Sequence, residues 1–319
     1  MNGTVAAAIE LRSLTRSYGT RRGVVDLDVA VRQGEVFGFL GPNGAGKTTT
    51  IRCLLGFIAP TSGGATILGH DCWTEAPLVH RSVAYLSGEP TYLGELTAAE
   101  TFDYLGRLRG LARGCWRPLA ERLELDPTVP IHKLSRGNRQ KVGVVHVFMG
   151  QEPLLVMDEP TTGLDPLMQR EFLALVAEVR VSGRTVFLSS HNLPEVERSC
   201  DRVAIIREGR LVEVRAVQEL LGDHWRSINL VLGDAPAADA FDLPDVRLLA
   251  STGRDVHLMV RGDVRPVLRR IAALDVRDVA ITTPDIEDVF LGYYDTPGRG
   301  NGAPAASSGP VAGPTEGVR

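Results

Sequence analysis

Short runs of wholly apolar residues recur through the first two thirds of the chain, at residues 36–40, 154–157, 186–188 and 203–206. Runs of that length without alternation predict strands buried on both faces, as in a parallel sheet covered by helices. Between them the hydrophobic period lengthens. Over residues 167–181, Phe172, Leu175, Val176 and Val179 fall on one face, the stripe of an amphipathic helix. A doubly wound α/β sheet follows, with ligand loops at the carboxyl ends of its strands. Earlier in the chain the rhythm differs. Ile9-Glu10-Leu11 and residues 24–31 and 64–68 alternate or sit among turns, which predicts a small antiparallel flap beside the parallel sheet. Residues 97–125 read as mainly helical, opened by Thr97 as N-cap and Glu100 as its capping-box partner.

A second unit begins near Leu220. Residues 228–232, 246–249, 256–260 and 276–281 read as four short strands. Asp263 with Pro266 opens a helix over 264–274, and Thr283-Pro284 opens another that ends at Tyr294. From Pro297 onward the chain is Gly, Pro, Ala and Ser, too poor in large apolar groups to offset its ordering entropy. The expected organisation is an α/β unit over 1–218, an accessory α+β domain over 219–296 and a disordered tail over 297–319.

Composition narrows the possibilities. With 319 residues the chain exceeds one typical domain, and 44% apolar with 23% charged residues is ordinary for a globular protein. A net charge of −4 argues against a general nucleic-acid binder. Cys53, Cys72, Cys115 and Cys200 share no CxxC spacing, so a zinc site or disulfide framework is not expected. No apolar run approaches the ~20 residues needed to span a bilayer, and the first residues lack the pattern of a signal peptide. Any membrane role must therefore come through another chain.

The chemistry concentrates between the first apolar strand and the helix expected over 48–57. There Gly41, Pro42, Asn43, Gly44, Ala45, Gly46, Lys47, Thr48 and Thr49 fit G-x-x-x-x-G-K-[ST]. The glycines let backbone N–H groups turn inward around phosphates, and the helix N-terminus adds partial positive charge. Lys47 would reach the β- and γ-phosphates of a nucleoside triphosphate, and the Thr48 hydroxyl would ligate Mg²⁺. Asp158 and Glu159 close the apolar run at 154–157. Beside a phosphate loop the first acid suits Mg²⁺, and the second can take a proton from attacking water. Ser135 precedes the apolar segment 142–149 as a helix N-cap whose following N–H groups form a second anion-binding end. His146 lies on that segment's apolar face and reads as a core residue.

Taken together, these motifs resemble the ATP-binding subunit of an ABC transporter over residues 5–215. Gly41 to Thr49 is similar to the family's Walker A loop, residues 154–159 to its Walker B strand with the catalytic Glu159, and 134–138 to its LSGGQ signature. In the signature, Arg136 stands for the first Gly and Asn138 for Gln. The form LSRGNRQK resembles that of bacterial drug- and antibiotic-export ATPases of the daunorubicin-resistance type. Asp165, in Gly163-Leu164-Asp165-Pro166, resembles the D-loop residue, and His191 after Ser189-Ser190 the switch histidine. Tyr18 falls where the family stacks an aromatic ring on adenine. After residues 83–86 the family places a glutamine that contacts Mg²⁺. Here Gly88 holds that position with Glu89 next, so either Glu89 supplies the metal contact or the contact is absent.

The resemblance implies a P-loop ABC ATPase cassette: a parallel RecA-like sheet, an antiparallel β flap and a helical subdomain, followed here by a small C-terminal α+β domain. It implies ATP and Mg²⁺, and a dimer with itself or a homologous cassette in which Ser135, Gly137 and Asn138 of one subunit close on the partner's ATP. A separate integral-membrane permease at the cytoplasmic face would complete the exporter. Rival readings are a soluble ABC ATPase with no transport role, an import subunit and a P-loop kinase. Glu159 beside Asp158, with His191, favours water over a substrate hydroxyl as nucleophile.

Overall fold

The computed structural model describes residues 6–282 apart from 20, 223–224 and 238. The helix expected from Thr283 to Tyr294 and the tail after Pro297 lie outside the described residues. Fourteen strands and nine α-helices are assigned among them.

The long strands β1 (Ala7–Tyr18) and β2 (Arg21–Arg32) form an antiparallel sheet with β4 (Ser62–Ile67) and β5 (His70–Asp71) in the order β2-β1-β4-β5. This is the expected flap. A six-stranded sheet stands beside it, built from β3 (Val36–Leu40), β6 (Val83–Leu86), β7 (Leu154–Asp158), β8 (Thr185–Ser190), β9 (Arg202–Arg207) and β10 (Arg210–Ala216). Its order is β10-β9-β3-β8-β7-β6, parallel throughout except for the β9–β10 pair.

Every residue of β3, β7 and β8 is buried. Alternation then divides their side chains between two cores. Val36, Leu40, Leu155, Met157, Val186 and Leu188 face one cluster, which includes Val142 and Val145 of α5 (Arg136–Phe148) and Phe172 and Leu175 of α6 (Pro166–Val181). Phe37, Phe39, Leu154, Val156 and Phe187 face the other, with Ile51 and Leu54 of α1 (Lys47–Leu54) and the flap residues Ile9, Leu11 and Leu27. The Phe187 ring lies 6.0 Å from that of Phe37 and 5.5 Å from that of Phe39.

Helix α1 stops at Leu54, three residues before the expected end. Gly56 takes φ +65°, a left-handed residue that reverses the chain after the helix, and Phe57 is left exposed. Helix α2 (Ala76–Ser82) precedes β6. The segment expected to be helical holds α3 (Ala98–Leu108) and α4 (Arg117–Arg122), and Thr97 with Glu100 completes the capping box at α3. Short helices α7 (Leu193–Ser199) and α8 (Val217–Gly222) follow the switch segment and β10.

A third sheet lies further along the chain: β11 (Trp225–Leu232), β12 (Val246–Thr252), β13 (Asp255–Arg261) and β14 (Val276–Thr282), ordered β12-β13-β11-β14, with α9 (Arg265–Ala272) between β13 and β14. It has its own apolar cluster around Ile228, Leu230, Leu258, Val260, Val267 and Ile271.

His146 sits inside α5, as expected of a core residue, with Nδ1 3.2 Å from the Tyr92 hydroxyl. Burial, aided by the Arg109 charge, pushes its pKa down to about 4 from 6.5. The unfolded chain therefore binds the extra proton between those values, and stability falls as pH drops from 6.5 toward 4. The loss should approach about 3 kcal/mol. Urea unfolding at pH 7 and pH 4.5 should show it, and His146→Gln should flatten the difference. An unchanged pH dependence in that variant would assign the loss to other groups.

Candidate functional site

Residues 41–46 leave the carboxyl end of β3 and turn tightly into α1. Gly41 donates its N–H to the Ser190 carbonyl at 3.2 Å. A Cβ on Gly41 would meet the Ile206 carbonyl oxygen at 2.4 Å, so only glycine fits without displacing the backbone. Gly44 and Gly46 have φ +81° and +109°, conformations costly for any residue with a Cβ. Gly46 also lies against Val24 and the Gly23 carbonyl of β2. The first turn of α1 has no side-chain cap, which leaves its N–H groups free for an anion. Pro42 and Asn43 form the outer part of the loop, Ala45 is buried beneath it, and Thr49 follows Thr48 within α1.

Lys47 folds back over this cradle. Its side chain is 6% exposed, and Nζ donates to the carbonyls of Gly41 at 2.6 Å and Pro42 at 3.2 Å. It also pairs with Glu159 Oε1 at 3.1 Å. The Thr48 hydroxyl donates to Asp158 Oδ2 at 2.7 Å, and the Ser189 hydroxyl donates to Asp158 Oδ1 at 2.5 Å. Glu159 has φ +49°, held there by its own N–H donating to the Ser189 carbonyl and hydroxyl. His191 Nδ1 lies 2.6 Å from Glu159 Oε2. The loop Gly41–Thr49, Asp158, Glu159 and His191 thus form one group at the carboxyl end of the sheet.

The Thr48 hydroxyl and the Asp158 carboxylate are a hard-oxygen pair suited to Mg²⁺, which keeps waters and takes further oxygens from phosphate. Glu89 does not join them. Its side chain is 87% exposed and faces Arg136 at 3.6 Å. Among the described residues no cluster of three or more His, Cys, Asp or Glu side chains could hold a metal.

The signature residues form a second surface. Ser135 caps α5 by accepting the Asn138 N–H at 3.2 Å. A Cβ on Gly137 would reach the Gly163 carbonyl at 2.8 Å, so the first turn of α5 presses on the loop that leads to Asp165. Asp165 spends its carboxylate on capping α6, accepting the N–H groups of Leu167 and Met168, both at 3.0 Å. The Met168 bond above all holds its pKa below the usual range. Tyr18 stands at the end of β1, half exposed, with the Arg16 guanidinium over one ring face at 4.9 Å.

Sequence reasoning passed over three polar groups at this end of the sheet. Ser189 holds Asp158 and Glu159. Gln140, buried in α5, donates to the Pro160 carbonyl at 2.8 Å and links the signature helix to the turn after Glu159. Glu195 is buried behind His191. Ser189 and Gln140 stood inside quoted motifs, whereas Glu195 carried no signal beyond its place in the first turn of a short helix.

The chain is similar to known proteins over most of its length. A family profile described as "ABC transporter" matches residues 24–162. The bacitracin transport ATP-binding protein BcrA of Bacillus licheniformis is 31% identical over 300 residues, 90% of this chain and 97% of the relative. The Nod factor export ATP-binding protein I of Sinorhizobium fredii is 33% identical over 304 residues, 89% of this chain and 85% of the relative. A solved structure titled as the ATP-binding subunit of an ABC transporter superposes with a TM-score of 0.62 at 30% identity, covering 67% of this chain and 91% of its own.

The two loop glycines should respond differently to a methyl group. Gly41→Ala forces a backbone clash and should weaken ATP binding about tenfold or more. At Gly44 nothing lies within 4 Å of an added Cβ, so Gly44→Ala meets only the strain of φ +81°, roughly 1 kcal/mol. Titration with a fluorescent ATP analogue should rank Gly41→Ala as the weaker binder. The reverse order would mean that contact with Ile206 does not set the loop.

Proposed function

The chain belongs to the ATP-binding proteins of ABC transporters, and from that membership we propose that it drives export by hydrolysing Mg²⁺-bound ATP in a dimer of cassettes. Binding and hydrolysing ATP are the family's activity. The observation that carries the finer reading is the convergence of Lys47, Thr48, Asp158, Glu159 and His191 on one phosphate cradle.

Lys47 would exchange its Glu159 partner for the β- and γ-phosphates while keeping the two loop carbonyls. Thr48 and Asp158 would hold Mg²⁺, an ion that supplies positive charge opposite the phosphate oxygens. Released from Lys47, Glu159 Oε1 would accept a proton from water as the water oxygen attacks the γ-phosphorus. The bond from that phosphorus to the β-bridging oxygen breaks, leaving ADP and phosphate. His191, at 2.6 Å, fixes the other Glu159 oxygen and presents its ring toward the γ-phosphate. Tyr18 offers its free ring face to adenine.

Each cassette carries two anion-binding helix ends, α1 and α5. We read the second, with Ser135, Gly137 and Asn138, as closing on the ATP held by a partner cassette, with Asp165 beside it at the same interface. Among the described residues no helix is long and apolar enough to cross a membrane. As relatives named ATP-binding proteins suggest, a separate permease would carry the cargo, with this cassette at the cytoplasmic face. The two export- and transport-named relatives support a drug- or antibiotic-type exporter. We read the sheet of β11 to β14 with α9 as part of an accessory domain that follows the cassette.

Glu159→Gln keeps the shape of the side chain but cannot take the proton. It should bind ATP normally, lose hydrolysis by at least about a hundredfold, and accumulate as an ATP-dependent dimer in light scattering. Lys47→Ala should instead lose nucleotide affinity. Normal turnover by Glu159→Gln would remove this residue from the role of base.

A further inference from the structure

Ser190 is fully buried and joins three parts of the site. Its carbonyl accepts the Gly41 N–H of the phosphate loop at 3.2 Å. Its hydroxyl accepts the Asn192 N–H at 3.0 Å, closing a turn around His191, and donates to Glu195 Oε2 at 2.6 Å. Glu195 is 7% exposed, in the first turn of α7, with Leu193 and Val196 packed in the core on either side. An acid at an exposed helix start needs no account beyond the helix dipole. A buried one does, because its desolvation must be offset by bonds.

We propose that Glu195 is a positioning residue for hydrolysis, setting through the Ser190 hydroxyl the turn that presents His191 to Glu159. The inference rests on the roles of His191 and Glu159 proposed above. A serine hydroxyl has one proton, and in this structure it goes to Glu195, which leaves the lone pairs to fix the Asn192 N–H. Without that acceptor the hydroxyl is free to rotate toward the Asn192 carbonyl, now 3.5 Å away, and the turn loses its anchor. His191 is half exposed, so the turn, together with the Glu159 contact, decides where Nδ1 lies.

The second oxygen extends the arrangement. Glu195 Oε1 is buried and completes no hydrogen bond, although the Thr161 hydroxyl lies close enough to lower the pKa of the acid. Thr161 belongs to the loop between Glu159 and Asp165. Glu159 and His191 also act on the group, Glu159 raising and His191 lowering its pKa, while burial, the largest influence, raises it. The carboxyl thus stands between the loop that leads to Asp165 and the His191 turn.

The test uses the full chain and four variants: Glu195→Gln, Glu195→Leu, Ser190→Ala and the Ser190→Ala/Glu195→Leu double. Nucleotide Kd, steady-state kcat, Tm and the His191 ring resonances in ¹³C/¹⁵N-histidine-labelled protein would be measured. Glu195→Leu fills the space without an acceptor. It should shift the His191 resonances and lower kcat about tenfold, with Kd held within about twofold. Ser190→Ala should do the same, and the double variant should be no worse than either single. Glu195→Gln keeps an acceptor and should stay within about threefold of wild-type kcat. Unmoved His191 resonances in both Glu195→Leu and Ser190→Ala would overturn the proposal, as would additive losses in the double variant. Ser190→Ala keeps the test open should Glu195→Leu not fold. His191 resonances that respond in a wild-type chain lacking ATPase activity would locate the failure in the proposed function, not in the positioning by Glu195.

Discussion

The register of three buried parallel strands is the constraint on which the site depends. Asp158 stands opposite Ser189, and Leu40 opposite Ser190, one step before the phosphate loop. Strand side chains alternate, so a slip of one residue would send every group on that strand to the opposite face. Asp158 would then leave Thr48, and Glu159 would lose the Ser189 bonds that hold its backbone. What resists the slip is the division of side chains between two cores. The aromatic cluster of Phe37, Phe39 and Phe187 cannot exchange places with the smaller Val36, Val186 and Leu188 without leaving voids on one face and overfilling the other. Each fully buried side chain of this kind contributes roughly 1.5–3 kcal/mol. The chemistry at the sheet end is therefore aligned by hydrophobic packing several residues away.

On that frame sit two locally unfavourable features. A nearly buried ammonium is costly unless paired, and Lys47 finds two carbonyls and one carboxylate. Glu159 is in a left-handed conformation that costs a non-glycine residue roughly 1 kcal/mol or more. The Ser189 bonds hold that backbone, and the Lys47 and His191 contacts hold the side chain. On the proposed reading, phosphate would compete for Lys47 and so change what holds Glu159. The strain and the ion pair together place a carboxylate where its partner is replaceable.

Much of this was legible in the sequence because the relevant patterns are short and local. Continuous apolar runs marked β3, β7, β8 and β9, and the glycine spacing marked the loop between β3 and α1. Strand limits came out one or two residues short at Asp158, Thr185 and Ser189-Ser190, since these polar residues are buried by tertiary partners that no local period records. The end of α1 was misplaced because Gly56 reverses the chain before Phe57. For Glu89 the family's glutamine position left open whether it supplies the metal contact or the contact is absent, and its exposed side chain lies against Arg136, a residue distant in sequence. Ser189, Gln140 and Glu195 act through partners on other elements or through a buried neighbour. Their residue types, met singly, are ordinary surface residues.

The same logic links the second anion-binding end to the first. Gly137 lets α5 approach the Gly163 carbonyl more closely than any side chain permits, and Gln140, one turn along, grips the Pro160 carbonyl. The segment from Glu159 to Asp165 is thus held by α5 at both of its halves, while Asp165 ties its far end to α6. A rigid loop of this kind transmits displacement instead of absorbing it. The same helix also holds the segment after β6: Gly143 leaves room for Leu86 and Pro90, and the Tyr92 hydroxyl lies 3.2 Å from His146 Nδ1, whereas the exposed Arg136–Glu89 pair adds at most about 1 kcal/mol. Movement of α5 should therefore carry both the Glu159–Asp165 loop and the segment after β6 with it. On the proposed reading, the nucleotide site, the signature helix and the loop after β6 would move as one coupled unit.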